Sequence, residues 1–380
     1  MYLRFLWRQM FVKKGPFMIN QLTIHENSQP CYNIVLSEDY NQLQAALEMV
    51  PVHGRKVCIV SDSHVAPYYL ERITGVLGKT CALVVHFLIE AGEASKTLDN
   101  VEKLYEFLII HQFERKDFLA ALGGGVIGDL TGFAAATYLR GIPFIQIPTS
   151  LLAQVDSSIG GKTGVDFKSY KNMVGAFHQP ALVYSSADAL LTLNSRQYLS
   201  GMGEIIKHGL ICDAGYYDWL IMHREDILGK DLQTLNEMIY RSDRIKQAVV
   251  EEDPHEKGIR AILNFGHTLG HAVEKLSDFD LLHGECVSIG IRGAAWLSMN
   301  RGYITADTYQ NIINTLLAFE LPVHVSGLRP EEIVNVTTSD KKMDKGSVRF
   351  ILLSAIGEAV ICHDVSDAEL MMAAREICNL

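Results

Sequence analysis

The chain has 380 residues, a 48% hydrophobic fraction and a formal charge of −10, which gives length for two domains and apolar material for a sizeable core. The acidic balance argues against nucleic acid or an anionic membrane surface as partner, and no apolar run reaches the roughly 18 residues of a membrane span. Seven cysteines without a CxxC pair read as the reduced thiols of an intracellular protein.

Met1 to Met18 carries Arg4, Arg8, Lys13 and Lys14 among Leu3, Phe5, Leu6, Trp7, Phe11 and Val12. It lacks the long apolar core and small-residue cleavage site of a signal peptide. Residues 1–18 are set aside as a non-native or flexible extension, with translation expected to start at Met18.

Lys56–Asp62 predicts a β-branched strand that ends in an acid, and Ala82–Leu88 predicts a second strand. Thr97–Phe113 places Leu98, Val101, Leu104, Tyr105, Leu108 and Ile109 on one helical face. Phe118–Leu122 predicts a buried strand and Gly123–Gly128 a turn. Val126, Leu130, Phe133, Ala134 and Thr137 then mark the helix that leaves it. Strand, glycine turn and helix together offer free backbone N–H groups and a helix N-terminus to a phosphate. Gly123, Gly125 and Gly128 satisfy G-x-G-x-x-G. That motif alone is weak, because three adjacent glycines also make a plain tight turn. The ribose-binding acid expected about 20 residues further on is missing; Asp129 and Asp156 are the nearest. A further strand is predicted at Phe144–Ile147. Strands alternating with helices imply a mostly parallel sheet that binds ligands at the carboxyl ends of its strands.

Between Pro148 and Pro180, Gln154, Asp156, Ser157, Ser158, Lys162, Lys168, Lys171 and Asn172 sit among Gly160, Gly161, Gly164 and Gly175. Gly161-Lys162-Thr163 looks like the end of a P-loop, but that motif needs a glycine where Asp156 stands. A glycine-rich loop with lysines still suits a monophosphate or a carboxylate; its plain alternative is a solvated surface loop. Local bases are needed there, since the overall field repels an anion.

After about residue 190 helical periodicity dominates, through Arg196–Ile227, Leu232–Glu251, Ile262–Leu276, Glu285–Asn300 and Ala306–Phe319. Only Val348–Leu353 and Glu358–Cys362 look extended, as a hairpin across Ser354–Gly357. Residues 19–190 therefore read as an α/β domain and 191–380 as a helical one, with a site expected between them. His267 and His271 lie four apart on one helix face, His283 follows, and Glu204 lies in Gly203-Glu204-Ile205-Ile206-Lys207-His208. Two or three histidines with a carboxylate suit a catalytic Zn²⁺. Spacing does not choose among His208, His267, His271 and His283.

Several stretches together resemble the 3-dehydroquinate synthases, over nearly the whole chain from about residue 30. They are Gly92-Glu93-Ala94-Ser95-Lys96-Thr97, Gly123–Gly132, Tyr138-Leu139-Arg140-Gly141, Val155–Gly164 and Lys171–Pro180. The helical half adds Gly203–Gly209, Asn264–His271 and Leu282-His283-Gly284-Glu285. The resemblance implies an α/β N-terminal Rossmann-like domain on an all-α C-terminal domain, a cytoplasmic homodimer, and a place in the shikimate pathway. It also implies NAD and a divalent metal, normally Zn²⁺ with Co²⁺ as an alternative.

Carried over position by position, the resemblance makes Glu204, His267 and His283 metal ligands and His271 a catalytic or phosphate-contacting residue. NAD is expected on Asp62, Gly92, Glu93, Lys96, Gly124, Gly125, Val126, Gly128, Asp129, Thr149 and Ser150, with Lys162 and Lys171 shared with substrate and Thr192 nearby. Asp156, Lys162, Asn172, Lys207, Lys246, Arg260 and Asn264 are expected to line the substrate pocket. Arg140 is expected to reach the neighbouring subunit's substrate, and Lys342, of Asp340-Lys341-Lys342, to close the pocket.

The implied substrate is a sugar phosphate, 3-deoxy-D-arabino-heptulosonate 7-phosphate. It is oxidised transiently by NAD, loses phosphate, is reduced again and closes by an aldol step. Pro148-Thr149-Ser150 departs from the family's two threonines but keeps a hydroxyl, and Val165–Tyr170 replaces a frequent Asn-His-Pro-like turn. Rival readings are a cyclase of sedoheptulose 7-phosphate or glucose 6-phosphate, and a glycerol-dehydrogenase-like oxidoreductase. The cyclase rivals need fewer bases near Arg260 and Asn264, and the oxidoreductase has no use for the lysine-rich segment.

Overall fold

A computed structural model of the chain describes residues 20–168, 170–278, 280–343 and 349–378, without the side chains of 339–343. The extension at 1–18 and the side chain of Lys342 lie outside the described residues. The strands are β1 (Asn20–Glu26), β2 (Gln29–Ser37), β3 (Lys56–Asp62), β4 (Leu83–Ile89), β5 (Phe118–Gly123) and β6 (Phe144–Pro148). They continue as β7 (Lys162–Phe167), β8 (Tyr170–Phe177), β9 (Leu182–Ser186), β10 (Phe350–Ala355) and β11 (Glu358–Cys362).

Seven strands form one sheet in the order β1-β2-β9-β6-β5-β3-β4, parallel except for the β1–β2 pair. β3 reads as an unbroken apolar run because both of its faces are covered. Val57 and Ile59 join Ile73, Leu77 and Ile145 on one side, while Cys58 and Val60 join Leu104, Leu108 and Leu130 on the other. The chain runs outward from β3 to β4 and then returns to β5, β6 and β9 on the opposite side of β3. That reversal opens a crevice at the carboxyl ends of β3 and β5.

A third core joins Ile24, Tyr32, Ile34 and Leu36 of the sheet edge to Met202, Ile205, Phe265 and Val287 of the helical half, so the two halves share packed apolar surface. The main helices there are Ser195–Cys212, Leu232–Glu252, His267–Leu276, His283–Asn300 and Ala306–Ala318. The run expected as one helix over 196–227 is three, because the Asp213 side chain accepts from the Tyr216 N–H and starts a new helix.

One expectation is corrected. The lysine-bearing loop is an antiparallel hairpin, β7–β8, with Lys162 opposite Phe177 and Gly164 opposite Gly175. Its glycines and lysines are poor strand formers, so composition hides it. The helical C-terminal half carries the expected small hairpin, with β10 and β11 paired antiparallel. β1 and β2 were not legible, because polar residues alternate along β1; they meet at a tight turn with Asn27 and Ser28 at φ 51° and 63°. Among the described residues, no helix is long and apolar enough to cross a membrane.

Candidate active site

Three helices converge because two glycines let them touch. A Cβ on Gly284 would stand 1.7 Å from the Ser200 carbonyl oxygen, and one on Gly290 would stand 1.8 Å from that of Gly266. The first contact sets the start of helix His283–Asn300 against helix Ser195–Cys212, and the second sets its middle against the start of helix His267–Leu276. Glu204, His267 and His283 thereby meet.

Glu204 Oε1 is buried and has no hydrogen-bond partner. It faces His267 Nε2 at 3.6 Å and His283 Nε2 at 3.7 Å. Donors around a tetrahedral Zn²⁺ stand about 3.3 Å apart, so the set fits a divalent cation after slight contraction. The outer ring nitrogens are already engaged. His267 Nδ1 lies 3.1 Å from the Phe265 carbonyl, and His283 Nδ1 lies 3.4 Å from Glu274 Oε2. Those acceptors hold a proton on Nδ1 and leave Nε2 for a metal. Burial and the nearby Lys207 push His267 well below its usual range, toward the neutral form a ligand needs. Burial also presses on His283, but Glu204 and Glu274 outweigh it and lift this histidine to about 10. Burial raises Glu204, yet the charges of Lys207, His267 and His283 outweigh it and carry the group well below the usual carboxylate range.

The spacing left His208 and His271 open as ligands. His208 is buried, and its Nδ1 lies 2.7 Å from Ser242 Oγ. One of its ring nitrogens shares a 4.8 Å neighbourhood with Asp156 and Glu204, but Lys246 and Lys207 already bond those two carboxylates. His271 keeps a ring nitrogen within 4.8 Å of His267 and His283 while its ring stays exposed.

The candidate cofactor residues lie along one edge of the sheet. Asp62 ends β3, and Gly92, Gly124 and Thr149 follow β4, β5 and β6. The helix Gly125–Thr137 has Gly124 as its N-cap and no side-chain cap, so Gly125 and Val126 open a bare N-terminus. Ser150 Oγ would stand 3.4 Å from a Cβ on Gly124, and Gly128 packs on Gln146. Asp62 accepts from the His64 and Val65 N–H groups, both at 2.9 Å. Lys96, 3% exposed, donates to Asp129 at 2.6 Å and to Asn172 at 2.5 Å. Burial raises Asp129 to about 6, against the pull of Lys96. Thr192 is held by the Tyr69 hydroxyl at 2.5 Å.

The basic residues form the wall between the halves. Lys246 donates to both the carbonyl and the carboxylate of Asp156, which lies in a π-helical turn at Ala153–Ser157. Burial raises Asp156, but Lys246 outweighs it and brings the group to about 2. Arg260 is buried against Gly160, and Lys162 and Asn264 both donate to Glu256. Lys171 donates to Glu274 at 2.8 Å. Arg140 stands apart, exposed on a left-handed turn at φ 67°. Glu256 and Glu274 were missed by sequence reasoning. Glu274 lies seven residues after His267 and three after His271, so helical periodicity alone places it on their side.

Models of the 3-dehydroquinate synthase N-terminal and C-terminal regions match residues 86–200 and 201–343. A 3-dehydroquinate synthase of Nitrosomonas europaea is 46% identical over 307 residues, 80% of this chain and 83% of that protein. One of Acetivibrio thermocellus is 41% identical over 341 residues, 90% of this chain and 94% of that protein. Among solved structures, the 2-epi-5-epi-valiolone synthase ValA of Streptomyces hygroscopicus subsp. jinggangensis, with NAD⁺ and Zn²⁺ bound, superposes with TM-score 0.84 at 26% identity over 98% of this chain and 99% of that one. Maleylacetate reductase of Agrobacterium tumefaciens, at 15% identity, TM-score 0.65, 96% of this chain and 99% of that one, shares the fold alone. The chain belongs to the 3-dehydroquinate synthase family.

Proposed function

We propose that the chain converts 3-deoxy-D-arabino-heptulosonate 7-phosphate to 3-dehydroquinate and inorganic phosphate, as a phosphorus–oxygen lyase that uses NAD and a divalent metal, Zn²⁺ or Co²⁺. The observation that carries this reading is the buried, unpartnered Glu204 Oε1 facing the Nε2 atoms of His267 and His283. When bound there and on the glycine turn, the two groups supply a Lewis acid for a ring hydroxyl and an acceptor for its hydride.

The chain's own side chains account for the rest. Lys162, Asn172, Arg260 and Asn264 hold an anion with a carboxylate and a phosphate, and favour the charge that develops as phosphate leaves. Lys207 and Lys246, both buried on carboxylates, keep Glu204 and Asp156 ionised and fixed in direction. His271, exposed beside the half-buried His267 and His283, contacts substrate. Rigid placement of this kind lets the substrate's own phosphate take the proton that elimination requires. Lys342 closes the pocket, and the division into domains falls at 190/191. The protein works as a cytoplasmic homodimer in which Arg140 reaches the partner copy's substrate, a role its exposed turn suits.

Phosphate release from the heptulosonate phosphate, sedoheptulose 7-phosphate and glucose 6-phosphate, assayed side by side, tests the substrate. Turnover of the first is expected to exceed the others by orders of magnitude. Preference for either of the others overturns the assignment.

A further inference from the structure

The two halves of the site are joined by an unbroken line of charged contacts. It starts at the glycine-turn helix, where Asp129 pairs with Lys96 at 2.6 Å. Glu93 lies 4.0 Å from Lys96 and 3.9 Å from Lys171. Lys171, on β8, donates to Glu274 Oε1 at 2.8 Å. The other oxygen of Glu274 faces His283 Nδ1 at 3.4 Å, and His283 Nε2 faces Glu204.

We propose that Glu274 is a positioning residue that couples the cofactor edge to the metal-ligating histidine, so that NAD and the metal each tighten binding of the other. The Glu274 side chain is 8% exposed, and a buried carboxylate needs compensation on both oxygens. Its two partners belong to different halves and to different candidate ligand sites. The contact to Nδ1 fixes the ring rotation and tautomer of His283. Lys171 holds the opposite oxygen, and Glu93 holds Lys171. Ordering Glu93 and Lys171 around a cofactor therefore orders His283 as well, and by linkage the effect is reciprocal. This inference rests on the metal and NAD assignments of the proposed function.

The test is Co²⁺ titration of metal-depleted protein, followed by visible absorption, with and without NAD⁺. In the wild type NAD⁺ is expected to tighten Co²⁺ about five-fold or more. In Glu274→Gln and in Lys171→Gln, the second a half-exposed site that tolerates change, the ratio is expected to fall within about two-fold of unity. A purely structural role would weaken both ligands and leave their ratio intact. An unchanged ratio in either folded variant, or no coupling in the wild type, overturns the proposal. His267→Ala separates the two ideas: if it binds Co²⁺ as tightly as the wild type, the metal assignment fails and this inference fails with it. If His267→Ala loses Co²⁺ while the variants keep the ratio, the coupling alone fails.

Discussion

Gly284 and Ser200 touch backbone to backbone. The Gly284 N–H donates to Ser200 Oγ at 3.0 Å, and a Cβ on Gly284 would overlap the Ser200 carbonyl at 1.7 Å. This contact holds His283, the preceding residue, opposite Glu204, one turn beyond Ser200. Gly284→Ala is therefore expected to lower stability by about 3 kcal/mol and to cut bound metal. Gly75→Ala is the control: its site is open and helical, so about 0.5–1 kcal/mol of stabilisation is expected. Urea unfolding and metal analysis of both variants check this.

Lys162 and Lys207 should behave oppositely. The Lys162 side chain is 53% exposed on Glu256, whereas that of Lys207 is 2% exposed on the fully buried Glu204. Lys162→Ala should change stability by less than about 0.5 kcal/mol while lowering kcat/KM about ten-fold or more through lost anion binding. Lys207→Ala should cost about 3 kcal/mol or more, since it strands a buried charge. Denaturation midpoints and steady-state kinetics measured on the same preparations separate the two outcomes.

Asp243 supplies a pH signature. Both of its carboxyl oxygens are buried without a partner, and burial holds the group well above the ordinary 3.8, against the pull of Lys246. A folded-state value raised in this way stabilises the protein below the unfolded value, and that contribution is lost as pH rises through the folded value. Asp243→Asn should thus gain about 1–2 kcal/mol over the wild type at pH 7.5, and the gain should shrink toward pH 5. Equal differences at the two pH values would show that ionisation of Asp243 has no part in stability.

The glycine turn at 123–128 was legible because strand, turn and helix are local and the apolar runs around it are continuous. The helical half was legible by periodicity, down to the hairpin at 350–362. The meeting of Glu204, His267 and His283 was not legible from spacing. Glu204 and His283 come from helices far apart in sequence, and only the Gly284–Ser200 and Gly290–Gly266 contacts bring them to His267. Histidine spacing therefore stopped at four candidates. The hairpin Lys162–Phe177 was hidden because its strand pairing is carried by glycines and lysines with little intrinsic preference for it. Glu274 escaped notice because a single acid on a helix is ordinarily a solvated one, and its partners Lys171 and His283 are visible only in three dimensions.

The central claim is that NAD is reduced and re-oxidised within one turnover at a metal held by Glu204, His267 and His283. The most direct test mixes metal-loaded protein, NAD⁺ and the heptulosonate phosphate, and follows inorganic phosphate and NADH absorbance together. The account predicts many equivalents of phosphate per protein with no net NADH, and loss of phosphate release after chelation or in His267→Ala. Steady NADH accumulation, or undiminished phosphate release from metal-free protein, would contradict it.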